Sequence, residues 1–348
     1  MKIAWLNGNP NPNFGGTELH TIQMVKGLSK EGIEVVLICA KGSYVDKHTE
    51  DIYIKKYHLS FPNSLAIIST MRLAKLLMKE KPQLIIANNG KEYVNALLAG
   101  RIAGIRVAFF RHMERMKEWM VRRFVFPYVD RFFAVSEHVK ENLIKEGVKP
   151  EKIKVIYNLV EGPFDYVEKE EGKINFLFVG KVDKGKGVFD FLEAFYKLSL
   201  EREGIEAYVV GDGKATGEVK SFIENHGLKD KVHLVGYTPR VEHYYKMAHI
   251  CVIPSRNTEA MPRVAIEALA YGCALVVSDV GGTKEAVERD KNGYVFKAGD
   301  VGDLKESMNK VIERWKEFSI YSYNLYRRKF SEDTILKNFI KELKELIH

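Results

Sequence analysis

Cysteine is scarce in this chain, which has only Cys39, Cys251 and Cys273 among its 348 residues. Each lies in or beside an apolar run, no C-x-x-C pair occurs, and none has a histidine at metal-ligand spacing in the sequence. These spacings argue against a disulfide framework and against a cysteine-based metal site. They predict three reduced cysteines in the hydrophobic core.

Long apolar runs are missing as well. The most apolar helical stretch extends from Leu65 to Met78, and Arg72 and Lys75 interrupt it. No segment therefore approaches the roughly 18 apolar residues that a membrane-spanning helix needs. The chain also starts directly with a predicted strand rather than with a signal peptide. We therefore expect a cytoplasmic protein.

Acidic residues are in short supply in the first half only. Up to Gly162 there are 25 lysines and arginines against 16 acidic residues, whereas the remainder has 29 against 30. A basic domain attracts nucleic acid, an anionic membrane or a phosphorylated substrate. Because no RNP, zinc-finger or helix-turn-helix pattern occurs, nucleic acid is the weakest of the three and we expect no nucleic-acid partner.

The most informative stretch extends from Cys251 to Val287. The apolar run Ile250–Ile253, which begins one residue before this stretch, predicts a buried strand that ends at a turn. A polar loop follows, and Pro262 occupies the place of a first helical residue. The helix should end at Gly272, and Ala274–Ser278 should form the next strand. Strand, loop, helix and strand in this order predict a parallel α/β unit.

Two carboxylates fall at the edge of this unit, Glu259 in the loop and Glu267 in the helix, with E-x7-E spacing. In parallel sheets ligands lie beyond the carboxyl ends of the strands, where helix N-termini offer N–H groups to anions. An ionised carboxylate suits a sugar ligand because it accepts two O–H donors at once. The alternative is that Glu259 is a solvated loop acid and Glu267 a helix acid favoured by the helix dipole.

Together, Ser255, Glu259, Glu267, Gly272 and the run Asp279–Gly282 resemble the donor-sugar signature of the family-4 glycosyltransferases. Members of that family have the two-domain GT-B fold and the E-x7-E pair. They transfer a sugar with retention of its anomeric configuration. Their first glutamate contacts the donor sugar and their second contacts the ribose hydroxyls. The resemblance therefore implies a catalytic and donor-binding role for Glu259 and a donor-binding role for Glu267.

The residues that follow Glu259 are implicated in the same way. The resemblance assigns Ala260, Met261 and Val264 to donor binding. The family often has E-G-F-G where this chain has Glu259, Ala260, Met261 and Pro262. Proline has no N–H group to offer to a sugar. The donor contacts of this chain should therefore differ in detail from those of the family.

The first half begins with the pattern of a βαβ unit, whose loop is the place for a phosphate. Two observations argue against a dinucleotide-binding fold. Asn7–Pro12 does not match G-x-G-x-x-G, and the second strand ends at Ala40 with no acidic residue to bind an adenine ribose. Instead, Gly15 and Gly16 resemble the glycine pair by which family-4 enzymes bring their backbone close to the donor diphosphate. A flexible turn is the alternative.

His112 follows a predicted strand of the first half. In the family a histidine at this place reaches the transferred sugar, so the resemblance implies a catalytic role for His112, and a structural histidine is the alternative. Ser136, Glu137 and Asn158 match later landmarks of the family. Leu159 departs from the pattern because a glycine often follows the asparagine.

The loop Gly180–Gly187 nearly matches the P-loop motif, since it contains the G-x4-G-K part of that motif. Gly187, however, lacks the hydroxyl group that would hold Mg²⁺, which argues against an ATPase. The family has G-R-x4-K-G here, with an arginine and a lysine that clamp the diphosphate, which implies donor binding by Lys181 and catalysis by Lys186. Lys181 keeps the charge of the arginine but loses its bidentate fork. The alternative is a turn with solvated lysines.

Gly236 and Tyr237 end a further predicted strand of the second half. In the family this loop helps to hold the base, so the resemblance adds both residues to the donor site. No metal site is implied, because the sequence contains no D-x-D motif to hold a metal ion on the diphosphate. No cofactor is implied either.

A basic and aromatic segment extends from Arg111 to Phe126. It contains five arginines and lysines together with Trp119, Phe124 and other large apolar residues. One interpretation is an ordinary surface helix that covers a core. The other is a face that contacts an anionic bilayer or holds a phosphate-linked lipid acceptor.

The predicted fold class is thus α/β, of the GT-B type, with two Rossmann-like doubly wound domains that face a central cleft. The expected boundaries are an acceptor-binding domain over 1–163, a nucleotide-sugar-binding domain over 164–325, and a C-terminal helix over 326–348 that packs back on the first domain. The predicted helices near the C-terminus are Val301–Phe318, Tyr321–Phe330 and Asp333–Ile347.

The function that the resemblance implies is transfer of a sugar, with retention of its anomeric configuration, from a nucleoside-diphosphate sugar to a glycan or lipid-linked acceptor. Peripheral contact with an anionic membrane at its cytoplasmic face is compatible with the basic first domain. Two alternatives remain open. A GT-B sugar-nucleotide epimerase would use the same phosphate and ribose contacts without an acceptor, and a nucleotide-binding regulator would bind without turnover.

Overall fold

The computed structural model describes residues 1–13, 15–63, 66–112, 119–162 and 164–348. Over these residues the chain divides into two compact units. Unit 1 comprises Met1–Glu161 together with Glu332–His348, and unit 2 comprises Gly162–Ser331.

Unit 1 is built on a parallel sheet. Its described strands are β1 (Lys2–Asn7), β2 (Glu34–Cys39), β3 (Lys55–His58), β4 (Leu84–Ala87), β5 (Arg106–Arg111), β6 (Arg131–Ala134) and β7 (Ile153–Val155). They lie in the order β3-β2-β1-β4-β5-β6-β7. The central strands are buried almost throughout, as in β4, where all residues are inaccessible. Burial on both faces explains why these strands are continuous apolar runs.

The helices of unit 1 cover both faces of this sheet. Those described before residue 162 are α1 (Gly16–Lys30), α2 (Tyr44–Lys47), α3 (Ile67–Glu80), α4 (Tyr93–Ala103), α5 (Trp119–Phe124) and α6 (Glu137–Lys145). The connections through α1 and α2 step in one direction along the sheet, and those through α3 to α6 step in the other. Because parallel connections are right-handed, α3, α4, α5 and α6 lie on the face opposite α1 and α2.

Unit 2 has the same architecture. The strands described in it are β8 (Ile174–Val179), β9 (Ile205–Val210), β10 (Val232–Gly236), β11 (Ile250–Ile253), β12 (Ala274–Ser278) and β13 (Gly293–Phe296). All pair in parallel in the order β10-β9-β8-β11-β12-β13. The helices are α7 (Val188–Ser199), α8 (Thr216–Asn225), α9 (Val241–Met247), α10 (Arg263–Ala270) and α11 (Val301–Leu325). A core that includes Phe176, Phe191 and Phe195 fills the space between the sheet and α7.

The last helix, α12 (Glu332–Ile347), belongs to unit 1. Phe339 packs its ring edge-on against Trp5 at 6.2 Å and against Phe133 at 4.8 Å between ring centroids. Gly27 of α1 leaves room for Leu336, since a Cβ at Gly27 would lie 2.8 Å from a Leu336 methyl group. These contacts place the apolar face of α12 on the sheet, beside α1.

Two local predictions were wrong. The predicted helices Val301–Phe318 and Tyr321–Phe330 form one continuous α-helix to Leu325, followed by a π-helical turn at Tyr326–Phe330, because Phe318, Ser319 and Ser322 carry the buried stripe past the expected break. Pro262 is the N-cap of α10 rather than its first residue. No helix in the described residues is long and apolar enough to cross a membrane.

Candidate active site

Three adjacent strands of unit 2 end at one edge of the sheet. β8 pairs with β11 and β11 pairs with β12, all in parallel, so the loops that follow them emerge side by side. These loops are 180–187, 254–262 and 279–282. They contain five of the predicted donor-binding residues, namely Lys181, Lys186, Glu259, Ala260 and Met261.

The first of these loops is folded around its glycines. Asp183 caps the short 3-10 helix Lys184–Lys186 by accepting the Lys186 backbone N–H at 2.9 Å. Gly187 follows with φ +73, and a Cβ there would lie 1.8 Å from the carbonyl oxygen of Pro254. A serine or threonine at this position would clash with the neighbouring loop. The missing P-loop hydroxyl group thus has a steric cause, because the β8 and β11 loops are in backbone contact here.

Lys186 and Glu259 meet where these two loops converge. The Lys186 ammonium lies 2.8 Å from Oε1 of Glu259, and the Ser255 hydroxyl donates a hydrogen bond to the same oxygen. The Glu259 side chain is 16% exposed and that of Lys186 is 39% exposed. The sequence placed these residues in two separate motifs, and the fold joins them in one charged cluster that remains accessible.

Lys181 lies in the same loop as Lys186 but has a different partner. Its ammonium lies 3.5 Å from a carboxylate oxygen of Asp183, and the Lys181 side chain is 59% exposed. The two lysines that the resemblance assigns to the diphosphate therefore interact with different carboxylates in this structure. Both loop cations remain within reach of solvent.

The backbone of Glu259 is fixed by the glycine pair of the β12 loop. Gly282 donates its N–H to the Glu259 carbonyl oxygen at 2.8 Å. Gly281 has φ +57, and a Cβ there would lie 2.0 Å from the same oxygen. The pair Gly281-Gly282 is therefore needed for close backbone packing, which holds Glu259 at the carboxyl edge.

Glu267 lies in the second turn of α10 and is held by two neighbours. The Tyr245 hydroxyl group donates to Oε2 of Glu267 at 3.0 Å, and Arg263 lies 3.9 Å from Oε1. Burial, followed by the charge of Glu267, raises the pKa of Tyr245 well above its usual value, so the phenol stays a hydrogen-bond donor. The Glu267 carboxylate, 25% exposed, keeps lone pairs for further donors.

The residues between the two glutamates line the start of α10. Met261 is buried at 5% exposure, while Ala260 and Val264 are half-buried. Gly236 and Tyr237 lie farther away, at the end of the outermost strand β10, which is separated from β8 by β9. Tyr237 is 80% exposed. The structure thus brings Lys186 and Glu259 together and leaves Gly236 and Tyr237 at the far end of the same edge.

In unit 1 the predicted glycine pair lies at the start of α1. Gly15 is the N-cap and Gly16 the first residue of the helix. A Cβ at Gly15 would lie 2.2 Å from a carboxylate oxygen of Glu18, whereas a Cβ at Gly16 would meet none of the described residues within 4 Å. Packing within unit 1 therefore accounts for Gly15 but leaves open space at Gly16, beside the N–H groups of a helix N-terminus.

His112 is held by a hydrogen-bond network in unit 1. Its Nε2 lies 2.9 Å from Oδ1 of Asn88. The Asn88 amide group donates to the Thr17 carbonyl oxygen at 3.0 Å and to the Thr21 hydroxyl at 2.7 Å. Because the Thr17 carbonyl can only accept, Oδ1 of Asn88 must face His112. The Nε2 atom of His112 therefore carries the proton, and Nδ1 keeps a lone pair.

The imidazole of His112 is also kept neutral. Its ring packs against His20 at 4.4 Å and against Phe110 at 5.2 Å between centroids. Burial, with a smaller contribution from Arg111, lowers the pKa of His112 to about 3. At neutral pH this side chain can therefore position a hydroxyl group but cannot supply a positive charge.

Two buried carboxyl groups flank the loop that precedes Gly15. Glu92 accepts the Gly8 N–H at 2.6 Å, and Glu18 accepts from the Asn9 side chain at 2.7 Å. Burial, and secondarily the charge of Glu18, raise the pKa of Glu92 to about 8. Glu92 is therefore predominantly protonated at neutral pH. Sequence inspection gave no signal for this group.

Sequence reasoning also missed the ion pair that ties the β11 loop to α7. Arg256 donates to both carboxylate oxygens of Asp190, at 2.7 and 2.5 Å. Its backbone N–H also binds the Gly185 carbonyl oxygen at 2.9 Å. The partners are 66 residues apart, and neither lies in a recognised motif, so only the fold reveals the pair.

All three cysteines are reduced and buried, as predicted, but Cys39 does have a histidine nearby. Cys39 and His58 are register partners on β2 and β3, and their ligand atoms and that of Asp46 lie within 4.8 Å of one another. The Asp46 carboxylate already accepts from His58 at 3.0 Å and lies 3.3 Å from Lys56. Burial raises the pKa of the Cys39 thiol to about 12. This group therefore forms a hydrogen-bonded cluster around Asp46.

Two family models match the chain in succession. The model described as "Glycosyltransferase Family 4" matches residues 14–161, and that described as "Glycosyl transferases group 1" matches residues 164–328. The chain belongs to the family-4 glycosyltransferases. The site described above lies within the second matched region, and His112 and the glycine pair lie within the first.

Individual relatives of this glycosyltransferase are named for hexosyl transfer. It is 26% identical to the phosphatidylinositol N-acetylglucosaminyltransferase GPI3 subunit of Saccharomyces cerevisiae, over 90% of this chain and 75% of the relative. It is 24% identical to an Escherichia coli UDP-Gal:alpha-D-GlcNAc-diphosphoundecaprenol alpha-1,3-galactosyltransferase, over 96% and 94%. The protein is accordingly an enzyme of the hexosyltransferase type.

Solved structures agree on the fold of the glycosyltransferase. The Anabaena protein HepE, crystallised with UDP, superimposes with a TM-score of 0.85 at 20% identity, over 99% of this chain and all of HepE. Two parallel sheets flanked by helices, in this chain order, constitute the GT-B fold. The predicted α/β fold class with two Rossmann-like units is confirmed.

Proposed function

We propose that this glycosyltransferase moves a hexose from a nucleoside-diphosphate sugar to a glycan or lipid-linked acceptor, with retention of the anomeric configuration. The observation that carries the proposal is the contact between Lys186 and Glu259 at the carboxyl edge of the unit 2 sheet. A cation suited to a phosphate and an anion suited to sugar hydroxyl groups meet there. Seven residues separate Glu259 from Glu267, which completes the E-x7-E pattern.

In this proposal Lys181 and Lys186 bind the donor diphosphate. Negative charge grows on the diphosphate as the sugar leaves, so fixed cations stabilise the transition state more than the bound substrate. The N-terminus of α7, which begins directly after this loop, adds oriented N–H groups. Before the donor binds, Glu259 neutralises Lys186. We expect the diphosphate to take over part of this role.

Glu259 and Glu267 act on the sugar and on the ribose, respectively. The Ser255 hydroxyl and Lys186 hold one oxygen of Glu259, so the other oxygen is oriented for sugar hydroxyl groups. Tyr245 holds Glu267 in the same manner. Ala260, Met261 and Val264 form the wall between the two glutamates. Because Gly236 and Tyr237 end the outermost strand β10, two strands from β8, we assign this end of the edge to the base.

Unit 1 contributes the acceptor side and one contact with the sugar. Neutral His112 offers the Nδ1 lone pair to a hydroxyl group of the transferred sugar, while Asn88 fixes the ring through Nε2. His112 therefore acts by positioning rather than as a charged acid. The space around Gly16 admits a diphosphate oxygen to the N–H groups of α1.

The relatives support a nucleotide-linked donor and a lipid-linked acceptor. The Escherichia coli relative is named for UDP-Gal and for a diphosphoundecaprenol-linked acceptor, the yeast relative for phosphatidylinositol, and HepE was crystallised with UDP. We therefore propose a UDP-hexose as the first donor to test. A lipid-linked acceptor would place the reaction at the cytoplasmic face of a membrane, in polysaccharide or glycolipid synthesis.

A donor screen tests the proposal. The protein is incubated with UDP-, GDP- and ADP-hexoses, with and without lipid-linked and soluble glycan acceptors, and products are separated by mass spectrometry and NMR. Transfer to an acceptor, with the anomeric proton coupling of the donor preserved, supports the proposal. Isomerised donor without transfer would indicate an epimerase, and binding without any product would indicate a nucleotide-binding regulator.

A further inference from the structure

The side of unit 1 formed by α3, α4 and α5 exposes an unusual number of large apolar side chains. We call this surface the outer face; its exposed apolar residues are Ile67, Ile68, Met71, Met78, Leu98, Ile102, Trp119, Met120 and Phe124. Ile67 and Ile68 are 75% and 70% exposed. Single exposed apolar residues need no explanation, but a group on adjacent helices of one side indicates an interaction surface.

Helix α3 shows that these residues are not part of the core. Its inner side is already buried through Leu73, Ala74 and Leu77, which pack towards α4 and the sheet. Ile67, Met71 and Met78 lie four and seven residues apart on an exposed stripe that borders this buried side. The apolar surface of α3 is therefore wider than the side that the fold of unit 1 buries, and the excess is exposed.

Positive charge is interleaved with these apolar residues. Arg72, Lys75 and Lys79 are exposed on α3, Arg101 lies on α4, and α5 adds Arg123. Among all residues of the three helices the one acidic residue is Glu80. Its carboxylate is buried and bound to Lys2 at 2.8 Å and Lys55 at 3.0 Å. The outer face thus has basic and apolar residues but no exposed acid on its helices.

We propose that the outer face docks on an anionic lipid bilayer. Basic side chains attract the headgroups of such a surface while apolar side chains enter the boundary of the acyl chains. A second copy of this chain is a poor occupant, because pairing two outer faces would juxtapose like charges in an apolar contact. Nucleic acid would satisfy the basic residues but not the apolar ones between them.

The inference deepens the proposed function by assigning a partner to unit 1, and it rests on that proposal only for its biological purpose. Vesicle binding requires neither donor nor acceptor. The assignment of the outer face to a bilayer can therefore be supported or rejected independently of the donor screen.

Flotation with vesicles tests the inference on the full chain. The parent protein should float with vesicles that contain phosphatidylglycerol and remain behind with pure phosphatidylcholine, and added salt should weaken binding. The triple variant R72E/K75E/K79E should bind at least about 100-fold more weakly, since each basic residue near such a surface contributes roughly fivefold. I67S/I68S/M71S should keep weak binding at low salt and lose it at moderate salt.

A matched control lies on the opposite side of the same unit. Lys337, Lys341 and Lys344 of α12 are exposed, so K337E/K341E/K344E changes the net charge of unit 1 by the same amount. This variant should bind like the parent. If R72E/K75E/K79E and K337E/K341E/K344E lost vesicle binding equally, net charge alone would drive binding. This result would overturn the assignment of the outer face.

Other outcomes also contradict the inference. Absence of flotation at low salt, or equal binding to neutral and anionic vesicles, would reject an anionic bilayer as partner. Concentration-dependent dimers that I67S/I68S/M71S abolishes would assign the face to self-association instead, and retention on duplex DNA equal to that on anionic vesicles would indicate a general polyanion surface. Circular dichroism of each variant verifies that it is folded, which is expected because the substituted side chains are exposed.

Discussion

The ammonium group of Lys186 lies 2.8 Å from a carboxylate oxygen of Glu259, although the two residues are 73 positions apart in the chain. One residue follows β8 and the other follows β11, and these strands are neighbours in the sheet. The contact joins two motifs that are separate in the sequence, the Gly180–Gly187 loop and the E-x7-E pair. It is the geometric basis for treating this edge as the donor site.

Lys186→Ala should reduce kcat/KM for the donor by about 10- to 150-fold, because a charged hydrogen bond contributes roughly 1.5–3 kcal/mol. Lys184→Ala is the matched control. Lys184 lies in the same short helix but pairs with Glu218 at 3.1 Å and is 74% exposed. Steady-state kinetics of both variants are compared, and equal effects would show that the loop needs only positive charge rather than Lys186 itself.

Gly187→Ala should destabilise unit 2 by at least about 2 kcal/mol, because φ is +73 there and the new Cβ would lie 1.8 Å from the Pro254 carbonyl oxygen. Gly217→Ala is the control, since its Cβ would meet no atom within 4 Å in the part of the chain that the structure describes. In helix α8 this change should be neutral or stabilising by up to about 1 kcal/mol. Thermal and urea unfolding measure both. A Gly187→Ala protein as stable as the parent would refute the packing of these two loops.

Catalysis should proceed without a divalent metal ion. The sequence contains no D-x-D motif, and Lys181, Lys186 and helix N–H groups suffice to bind a diphosphate. Transfer should therefore continue in excess EDTA. Activity that disappears with EDTA and returns with Mg²⁺ or Mn²⁺ would contradict the assignment of diphosphate binding to the lysines.

Glu92 should make unit 1 less stable as the pH rises. Burial raises its pKa from 4.5 to about 8, so between these values the folded state holds a proton that the unfolded state has lost. Stability from this group is complete below about pH 4.5 and declines up to about pH 8. Glu92→Gln keeps the shape and removes the titration.

The comparison is made by urea unfolding of the parent and Glu92→Gln at several pH values. Across this window, the free energy of unfolding of the variant should rise relative to that of the parent by at most about 1.4 kcal/mol per pH unit. A constant difference from pH 5 to pH 8 would show that Glu92 titrates normally in the folded protein.

Much of the fold was predictable because its strands are short, apolar and separated by loops with clear turn residues. Ile174–Val179, Ile250–Ile253 and Ala274–Ser278 were predicted with the bounds that the structure has. The strand β3 was not predicted, since Lys55–His58 is polar and lies at the sheet edge, where only one neighbour stabilises it. An edge strand leaves little trace in an apolar pattern.

The site was predictable as a set of motifs but not as a set of contacts. Motif spacing indicated Lys186, Glu259 and Glu267, and nothing in the sequence linked Tyr245 to Glu267 or Asp190 to Arg256. These partners depend on which helix packs against which loop. Within the basic segment Arg111–Phe126, residues 113–118 lie outside the described residues.

The outer face shows a further limit of sequence patterns. The apolar residues of α3 were interpreted as one helical stretch, and only the fold separates the buried Leu73 and Leu77 from the exposed Ile68 and Met71. The charge asymmetry between the two halves indicated that unit 1 has a basic surface. The structure shows which helices carry it.

The central claim is that Glu259 and Glu267 serve different parts of one donor, and steady-state kinetics of Glu259→Ala and Glu267→Ala with a recognised donor test it most directly. Glu267→Ala should raise the donor KM by about 10- to 150-fold with little change in kcat, because the ribose does not change during the reaction. Glu259→Ala should lower kcat by at least a comparable factor. If both folded variants turn over like the parent, the two glutamates are ordinary acids at a helix edge and the account of the donor site is wrong.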